Sequence, residues 1–177
     1  MMLDKIKELW SKDFRDIKKS RWVTIEEADL ILKLAKEADP DYIFESGTAN
    51  GISALFLSTV GCPVYTFDPV ARRKVWDIVT LPTDNITYVE DKFSSVAERY
   101  PELKDKKKVF FIDGSHSNTG IQEDCNALKE FAKEGDLILF HDLCIAPVMR
   151  AWMRLWRYGE DVERHETRRI IGSMIWK

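Results

Sequence analysis

A glycine turn between two acid-tipped apolar runs constrains this chain more than any other feature. From Tyr42 to Asp68 the sequence is YIFESGTANGISALFLSTVGCPVYTFD. Tyr42, Ile43 and Phe44 run into Glu45. The turn Gly47-Thr48-Ala49-Asn50-Gly51 follows, then Ile52, Leu55, Phe56 and Val60 at helical spacing, closed by Gly61. Val64 to Phe67 is a second apolar run, ending in Asp68. This predicts strand, tight turn, helix and strand, a βαβ unit with a carboxylate at the end of each strand. Glycine lets the backbone turn sharply and leaves room for a ligand to press against it. The helix start aims free N–H groups at that ligand, and an acid roughly 20 residues on is placed for ribose hydroxyls. The unit reads as a site for an adenosine-containing cofactor. Its spacing is E-x-G-x-x-x-G, not the G-x-G-x-x-G of dinucleotide sites, because Ala49 and Ile52 stand where glycines would be needed.

The rest of the chain continues the alternation. Residues 1–20 carry Leu3, Ile6, Leu9, Trp10, Phe14 and Ile17 at helical spacing, and Thr24 with Glu27 forms a capping box for a second helix. Residues 1–40 are therefore expected to be an N-terminal helical extension. After Asp68, a helix is expected over 71–79, a strand over 86–90, a helix over 94–100 and a strand over 108–113. A helix over 121–133, a strand over 136–140 and a helix over 147–158 come next, then two strands over 162–166 and 169–176 that pair antiparallel. The run KVFFID, almost unbroken in its apolar character, suits a strand covered on both faces. At 177 residues, without repeats or linkers, the chain predicts one α/β domain spanning 1–177, a doubly wound sheet. A net charge of −3 with both signs interspersed argues against nucleic acid as a partner. Cys62, Cys125 and Cys144 are widely spaced, which suits a reducing, cytoplasmic setting. No apolar run reaches membrane-spanning length.

In an open α/β sheet, ligands sit at the carboxyl ends of the strands, where the strand order reverses. Glu45, Asp68, Asp91, Asp113 and Asp142 all fall at such ends. If the first strand is central with the fourth and fifth beside it, neighbouring strands about 5 Å apart would let Asp113 and Asp142 touch one metal ion. I-D-G-S-H places His116 over the same opening. Each residue has an ordinary alternative. An aspartate after a strand is often only a helix N-cap, and a lone histidine is usually a surface residue, as His165 in its charged run is read. Two acid–histidine pairs ending consecutive strands, in a chain with three histidines, favour a site.

The glycine motif resembles motif I of the class I S-adenosylmethionine-dependent methyltransferases. The stretch FFIDGSHSNTGIQEDCNALKEFAKEGDLILFHDL is similar to that of a family including sugar O-methyltransferases, cephalosporin-hydroxylase-like proteins and catechol-type relatives. The matches are Asp113-Gly114, His116-Ser117, Gly120-Ile121, Asp124, Gly135-Asp136 and His141-Asp142. The resemblance implies a Rossmann-like seven-stranded methyltransferase sheet, mostly parallel with an antiparallel C-terminal strand and helices on both faces. It implies that Glu45, Gly47, Thr48, Ala49, Asn50, Gly51, Asp68, Asp91 and Asp113 bind S-adenosylmethionine, and that Asp113, His141 and Asp142 hold a metal. It also implies that His116, with Asp113, is catalytic, His116 being the general base toward an acceptor hydroxyl. An imidazole, with an ordinary pKa of about 6.5, suits that role. Carboxylates suit magnesium or manganese, whereas His141, where relatives more often carry an acid, tilts the set toward manganese, iron or zinc or stands behind the ligands.

Ala49, where many such enzymes have a second glycine, and Glu134-Gly135-Asp136 depart from the pattern. The acceptor is expected to be a small molecule. The N-terminal aromatics Trp10, Phe14 and Trp22, the 115–119 loop or a second copy of the chain in a homodimer would close the site. Rival readings are a nicotinamide-dependent reductase, disfavoured by the glycine spacing and the lack of Tyr-x-x-x-Lys, and a non-catalytic S-adenosylmethionine-binding module. A third is an iron oxygenase using His116, His141 and an aspartate.

Overall fold

The computed structural model describes residues 23–70 and 83–177, so the helices expected over 1–20 and 71–79, with Trp10, Phe14 and Trp22, lie outside the described residues. The elements in chain order are α1 (Ile25–Ala38), β1 (Tyr42–Ser46), α2 (Ile52–Leu57), β2 (Val64–Phe67), β3 (Ile86–Val89) and α3 (Val96–Arg99). They continue with β4 (Lys108–Ile112), α4 (Asn118–Phe131), β5 (Leu137–Phe140), α5 (Ala146–Leu155), β6 (Gly159–His165) and β7 (Ile171–Trp176). The seven strands form one sheet in the order β3-β2-β1-β4-β5-β7-β6. Strands β1 to β5 are parallel, β7 runs antiparallel to β5, and β6 antiparallel to β7.

The chain works outward from β1 to β3, then returns to β4 on the other side of β1, which makes the β1/β4 border the reversal point. Ser46 pairs with Ile112, and Ile112 with Phe140, so the three tips are level. The residues that follow, Gly47, Asp113 and His141, therefore emerge side by side.

Alternating residues of the strands bury two separate cores. Phe44, Phe67, Phe110, Ile112, Ile138 and Phe140 pack with Val96, Leu128, Phe131 and Trp152 of the helices on one face. Ile43, Val64, Val109, Phe111, Leu137 and Leu139 pack with Ile31, Leu32, Ala35 and Phe56 on the other. β4 is buried along its whole length, as its apolar run requires when both faces are covered.

At the rim opposite the strand tips, Lys108 and Asp136 form a fully buried ion pair at 3.0 Å. Lys108 Nζ also donates to the carbonyls of Lys104 and Lys106 at 2.7 and 2.6 Å. Asp136 accepts the backbone N–H groups of Lys108 and Lys133.

Element ends differ from expectation where side chains compete for the backbone. Ser117 Oγ accepts the N–H of Gly120, so α4 begins at Asn118 rather than Ile121. β7 starts at Ile171, two residues late, because Ile170 turns with φ 59° and sends Arg169 back toward the sheet tips. β6 begins earlier than expected, at Gly159, and carries an irregularity between Glu160 and Glu163.

Candidate active site

The glycine turn is locked to its neighbours from three sides. Gly47 has φ +96°, and a Cβ there would lie 2.4 Å from the carbonyl oxygen of Asp113, so neither the conformation nor the space admits a side chain. Gly47 and Thr48 donate backbone N–H groups to Phe67 O, and Ala49 donates to Asp68 Oδ2 at 2.8 Å. Ala49 adopts φ 45°, the left-handed region. The position where many relatives carry glycine thus keeps a glycine-like backbone.

Thr66 Oγ1 donates to Glu45 Oε2. A hydroxyl has one proton, so Thr48 is the donor in its 2.7 Å contact with Thr66. Glu45 is thereby a buried anchor beneath the turn.

Asp113, at the end of β4, and His141 and Asp142, at the end of β5, come together as the resemblance implied. One ligand atom from each lies within 4.8 Å of the others. His141 Nδ1 is 3.0 Å from Asp113 Oδ1 and 3.6 Å from Asp142 Oδ2. His116 Nε2 is 3.0 Å from Asp142 Oδ2 and 3.9 Å from Asp113 Oδ1. The His116–Asp142 contact lacks the alignment of a hydrogen bond, so both facing atoms are buried without a hydrogen-bond partner among the described residues.

Two further residues, missed in the sequence, complete the cluster. Glu27 Oε2 lies 3.4 Å from His141 Nε2 and accepts the Thr24 N–H, while Oε1 accepts the N–H of Arg169 at 2.7 Å. The Arg169 guanidinium pairs with Asp142 Oδ1 at 2.6 Å. The capping box was legible and is present, but nothing local showed that its glutamate also faces His141.

Burial alone would push the His141 imidazole down, but Asp113, Asp142 and Glu27 around it overcome that and raise it well above the usual histidine range. Burial would raise Glu27, and the His141, Thr24 and Arg169 hydrogen bonds instead bring it down to about 2. Asp142 is held well below the carboxylate range, with His116, His141 and Arg169 outweighing its burial.

The donor set fits a divalent ion. Two carboxylates and one imidazole converge on one spot, and Asp142 Oδ2 there is buried without a hydrogen-bond partner among the described residues. Three acids, Glu27, Asp113 and Asp142, against Arg169 and the protonated His141 still leave the cluster net negative for a cation to balance.

The turn and the Asp113–His116 edge of the cluster open into one cavity of about 760 Å³. Gly47, Thr48, Ala49, Asn50 and Asp68 line it, and so do Asp113 and His116, with Val23 from the α1 side and Lys92 and Glu123 at the rim. Asp68 takes Ala49 and Val70 N–H groups on its two oxygens, which retain acceptor capacity toward the cavity. Glu45, Gly51, Asp91, His141 and Asp142 are not among the described lining residues, His141 and Asp142 being buried at the β5 tip. Glu45 is buried under the turn, Gly51 caps α2, and the Asp91 carboxylate is taken by Arg99 at 2.5 Å. His165, expected at the surface, is only partly exposed and contacts Ser173 Oγ at 2.9 Å across the β6–β7 hairpin.

Asp124, on α4, also lines the cavity, almost fully buried, and accepts Ser46 Oγ at 2.7 Å. Burial pushes its carboxyl from 3.8 up to about 6, the Ser46 hydrogen bond only partly opposing this. The folded chain then keeps this proton up to about pH 6, while the unfolded chain gives it up near pH 4. Stability accordingly falls as pH rises across that window. Asp124→Asn should abolish the fall and stabilise the protein at pH 7 by roughly 1–3 kcal/mol, measured by urea denaturation at pH 4 and pH 7.

A family model described as a methyltransferase domain matches residues 44–143, more than half of the chain. No curated protein matches it. Among solved structures, a Staphylococcus aureus protein assigned as a caffeoyl-CoA O-methyltransferase superposes with a TM-score of 0.74 at 15% identity, covering 97% of this chain and 92% of that one. The SAH-bound Podospora anserina methyltransferase PaMTH1 gives 0.71 at 14% identity, covering 99% and 88%. MycE of the mycinamycin biosynthetic pathway, in complex with Mg, SAH and mycinamycin VI, gives 0.65 at 12% identity, covering 99% and 54%. At these identities the likeness is one of fold, and the matched span runs from the first strand of the glycine unit to just past the His141-Asp142 tip. This chain therefore belongs to the methyltransferase-domain family, and its resemblance to the class I, S-adenosylmethionine-dependent methyltransferases holds.

Proposed function

We propose that the chain transfers a methyl group from S-adenosylmethionine to a hydroxyl oxygen of a small molecule, with His116 as general base. The observation that carries this reading is the shared cavity: Gly47, Ala49 and Asp68 at one side, Asp113 and His116 at the other. Residues 47–51 would hold the methionine part of the donor and Asp68 its ribose. Glu45 and Asp91 enter only through resemblance, Glu45 as a support beneath the turn. S-adenosylmethionine supplies an electrophilic methyl group, so the protein's main contribution is holding an acceptor oxygen in line with it.

An alcohol is a weak nucleophile while protonated. His116 lines the cavity; with its buried Nε2 3.0 Å from Asp142, Nδ1 is the ring nitrogen that would take that proton, and Asp142 would steady the resulting imidazolium. Asp113, Asp142 and His141 would hold a divalent ion, which lowers the pKa of an oxygen bound to it. The oxygen-methylating assignment of the Staphylococcus aureus structure and the Mg and SAH of the MycE complex support this reading. The mixed charge and three separate free thiols favour a cytoplasmic protein acting on a small molecule rather than on nucleic acid.

The test is SAH release from S-adenosylmethionine across a panel of phenols, sugars and other alcohols, with and without a chelator. Acceptor-dependent release from hydroxyl compounds is expected. Release only with amines or carbon acids would overturn the oxygen assignment. Ion binding has its own signature. His141 carries a proton that an ion at Nδ1 must displace, so manganese affinity should rise with pH, with up to one proton released per ion near pH 7. Calorimetry in buffers of different ionisation enthalpy reads that proton directly.

A further inference from the structure

We infer that Glu27 is the positioning residue of the acid–histidine cluster, and that by holding His141 with Nδ1 toward Asp113 and Asp142 it makes the cluster select manganese or zinc over magnesium. The inference deepens the proposed function, since it concerns the ion at that same site. It rests on residues from four separate parts of the chain: Glu27, Asp113, His141-Asp142 and Arg169. Glu27 lies in the first turn of α1, fully buried, more than a hundred residues from His141 in sequence.

An ionised carboxylate only accepts hydrogen bonds, so the ring nitrogen facing Glu27 Oε2 must carry the proton. That nitrogen is Nε2, at 3.4 Å. With Nε2–H committed to Glu27, Nδ1, whose own proton faces Asp113 Oδ1 at 3.0 Å and Asp142 Oδ2 at 3.6 Å, is the nitrogen an ion would bind in that proton's place. A carboxylate holding the far nitrogen of a ligand imidazole fixes its tautomer and ring angle.

The Asp142 Oδ2 atom, buried and without a hydrogen-bond partner among the described residues, is a second, independent sign that this spot is built to take a ligand atom. Arg169 closes the frame: its N–H binds Glu27 Oε1 and its guanidinium binds Asp142 Oδ1, which leaves Oδ2 turned toward the ring. An imidazole between two carboxylates suits manganese and zinc, while magnesium prefers an all-oxygen octahedron.

Glu27→Gln separates positioning from folding. Glutamine also completes a capping box, so the start of α1 survives. Its single carbonyl oxygen cannot serve the Thr24, Arg169 and His141 donors together as the carboxylate does. Thr24→Ala is the converse control, because it removes the cap hydroxyl and leaves the Glu27 carboxylate facing His141. Calorimetric titrations with magnesium, manganese and zinc chlorides, on the full chain and both variants, give the affinities. Nitrogen-15 spectra of His141, with and without zinc, report its tautomer.

The wild type should bind manganese and zinc at least about tenfold more tightly than magnesium, with zinc moving the Nδ1 resonance and leaving Nε2 protonated. Glu27→Gln should weaken manganese binding by roughly 10–100-fold. Thr24→Ala should lower the melting temperature and leave manganese affinity unchanged. Magnesium binding as tight as manganese, an unchanged Glu27→Gln isotherm, or Nε2 as the zinc-shifted nitrogen would each overturn the inference. A separate S-adenosylmethionine titration keeps the two readings apart, since a chain that selects manganese through Glu27 yet binds no S-adenosylmethionine would refute the proposed function alone.

Discussion

His116→Ala is expected to lower methyl transfer by roughly 10²–10⁴-fold while leaving S-adenosylmethionine affinity nearly unchanged. The asymmetry follows from where the side chain stands. His116 is on the loop after β4, with Nε2 against Asp142 rather than against the glycine turn. Removing it deletes the proton acceptor and leaves the Gly47–Asp68 side of the cavity as it was. His116→Gln keeps a polar side chain of similar reach that cannot take a proton near pH 7, so it should be impaired almost as much. Acceptors with more acidic hydroxyls, which arrive partly ionised, should lose less. Single-turnover rates over a series of phenols of graded acidity check all three statements. A uniform loss across the series, or none, would remove His116 from the base role.

The second large effect is on stability, at the other end of the sheet. Asp136→Ala should destabilise the fold by about 3–5 kcal/mol, because it strands the Lys108 ammonium in the interior with only two carbonyls for company. A surface ion pair would cost well under 1 kcal/mol, but both partners here are fully buried. Burial pushes Lys108 down and Asp136 up, so each charge persists only because of the other and of its hydrogen bonds. For a chain of this length such a loss lowers the melting temperature by about 10 °C. The pair Lys108→Met with Asp136→Asn removes both charges and keeps an acceptor for the Lys108-position N–H, so most of the loss should return. Guanidinium denaturation of the single and double variants measures this. A double variant as unstable as Asp136→Ala would mean that the two backbone N–H groups bonded to the Asp136 carboxylate, not the charge pairing, hold the rim together. S-adenosylmethionine affinity, read well below the melting temperature, should not move in either.

Much of this was legible because it is local. The strands showed as apolar runs, and their carboxyl tips as the acids and glycines that follow them, so the level ends of β1, β4 and β5 put Gly47, Asp113 and His141 together as expected. What failed was side-chain pairing at long range. Glu27 was fully explained by the cap it forms with Thr24, and no pattern of period two or 3.6 shows that its carboxylate also faces His141. Arg169 sat in a basic run that resembles a solvated turn, and only the left-handed Ile170 turns it back onto Asp142. Asp91 was assigned by its place after a strand, yet Arg99, eight residues on, takes its carboxylate. Ala49 departs from the glycine pattern in residue type only, because the Ala49 N–H bond to Asp68 holds the backbone where glycine would have it.

The most direct test of the account is backbone hydrogen exchange with and without saturating SAH. If the glycine turn and the acid–histidine tips share one ligand cavity, SAH should slow exchange at residues 47–51 and at residues 113–117 together. Protection confined to one of the two stretches, or absent from both, would contradict it.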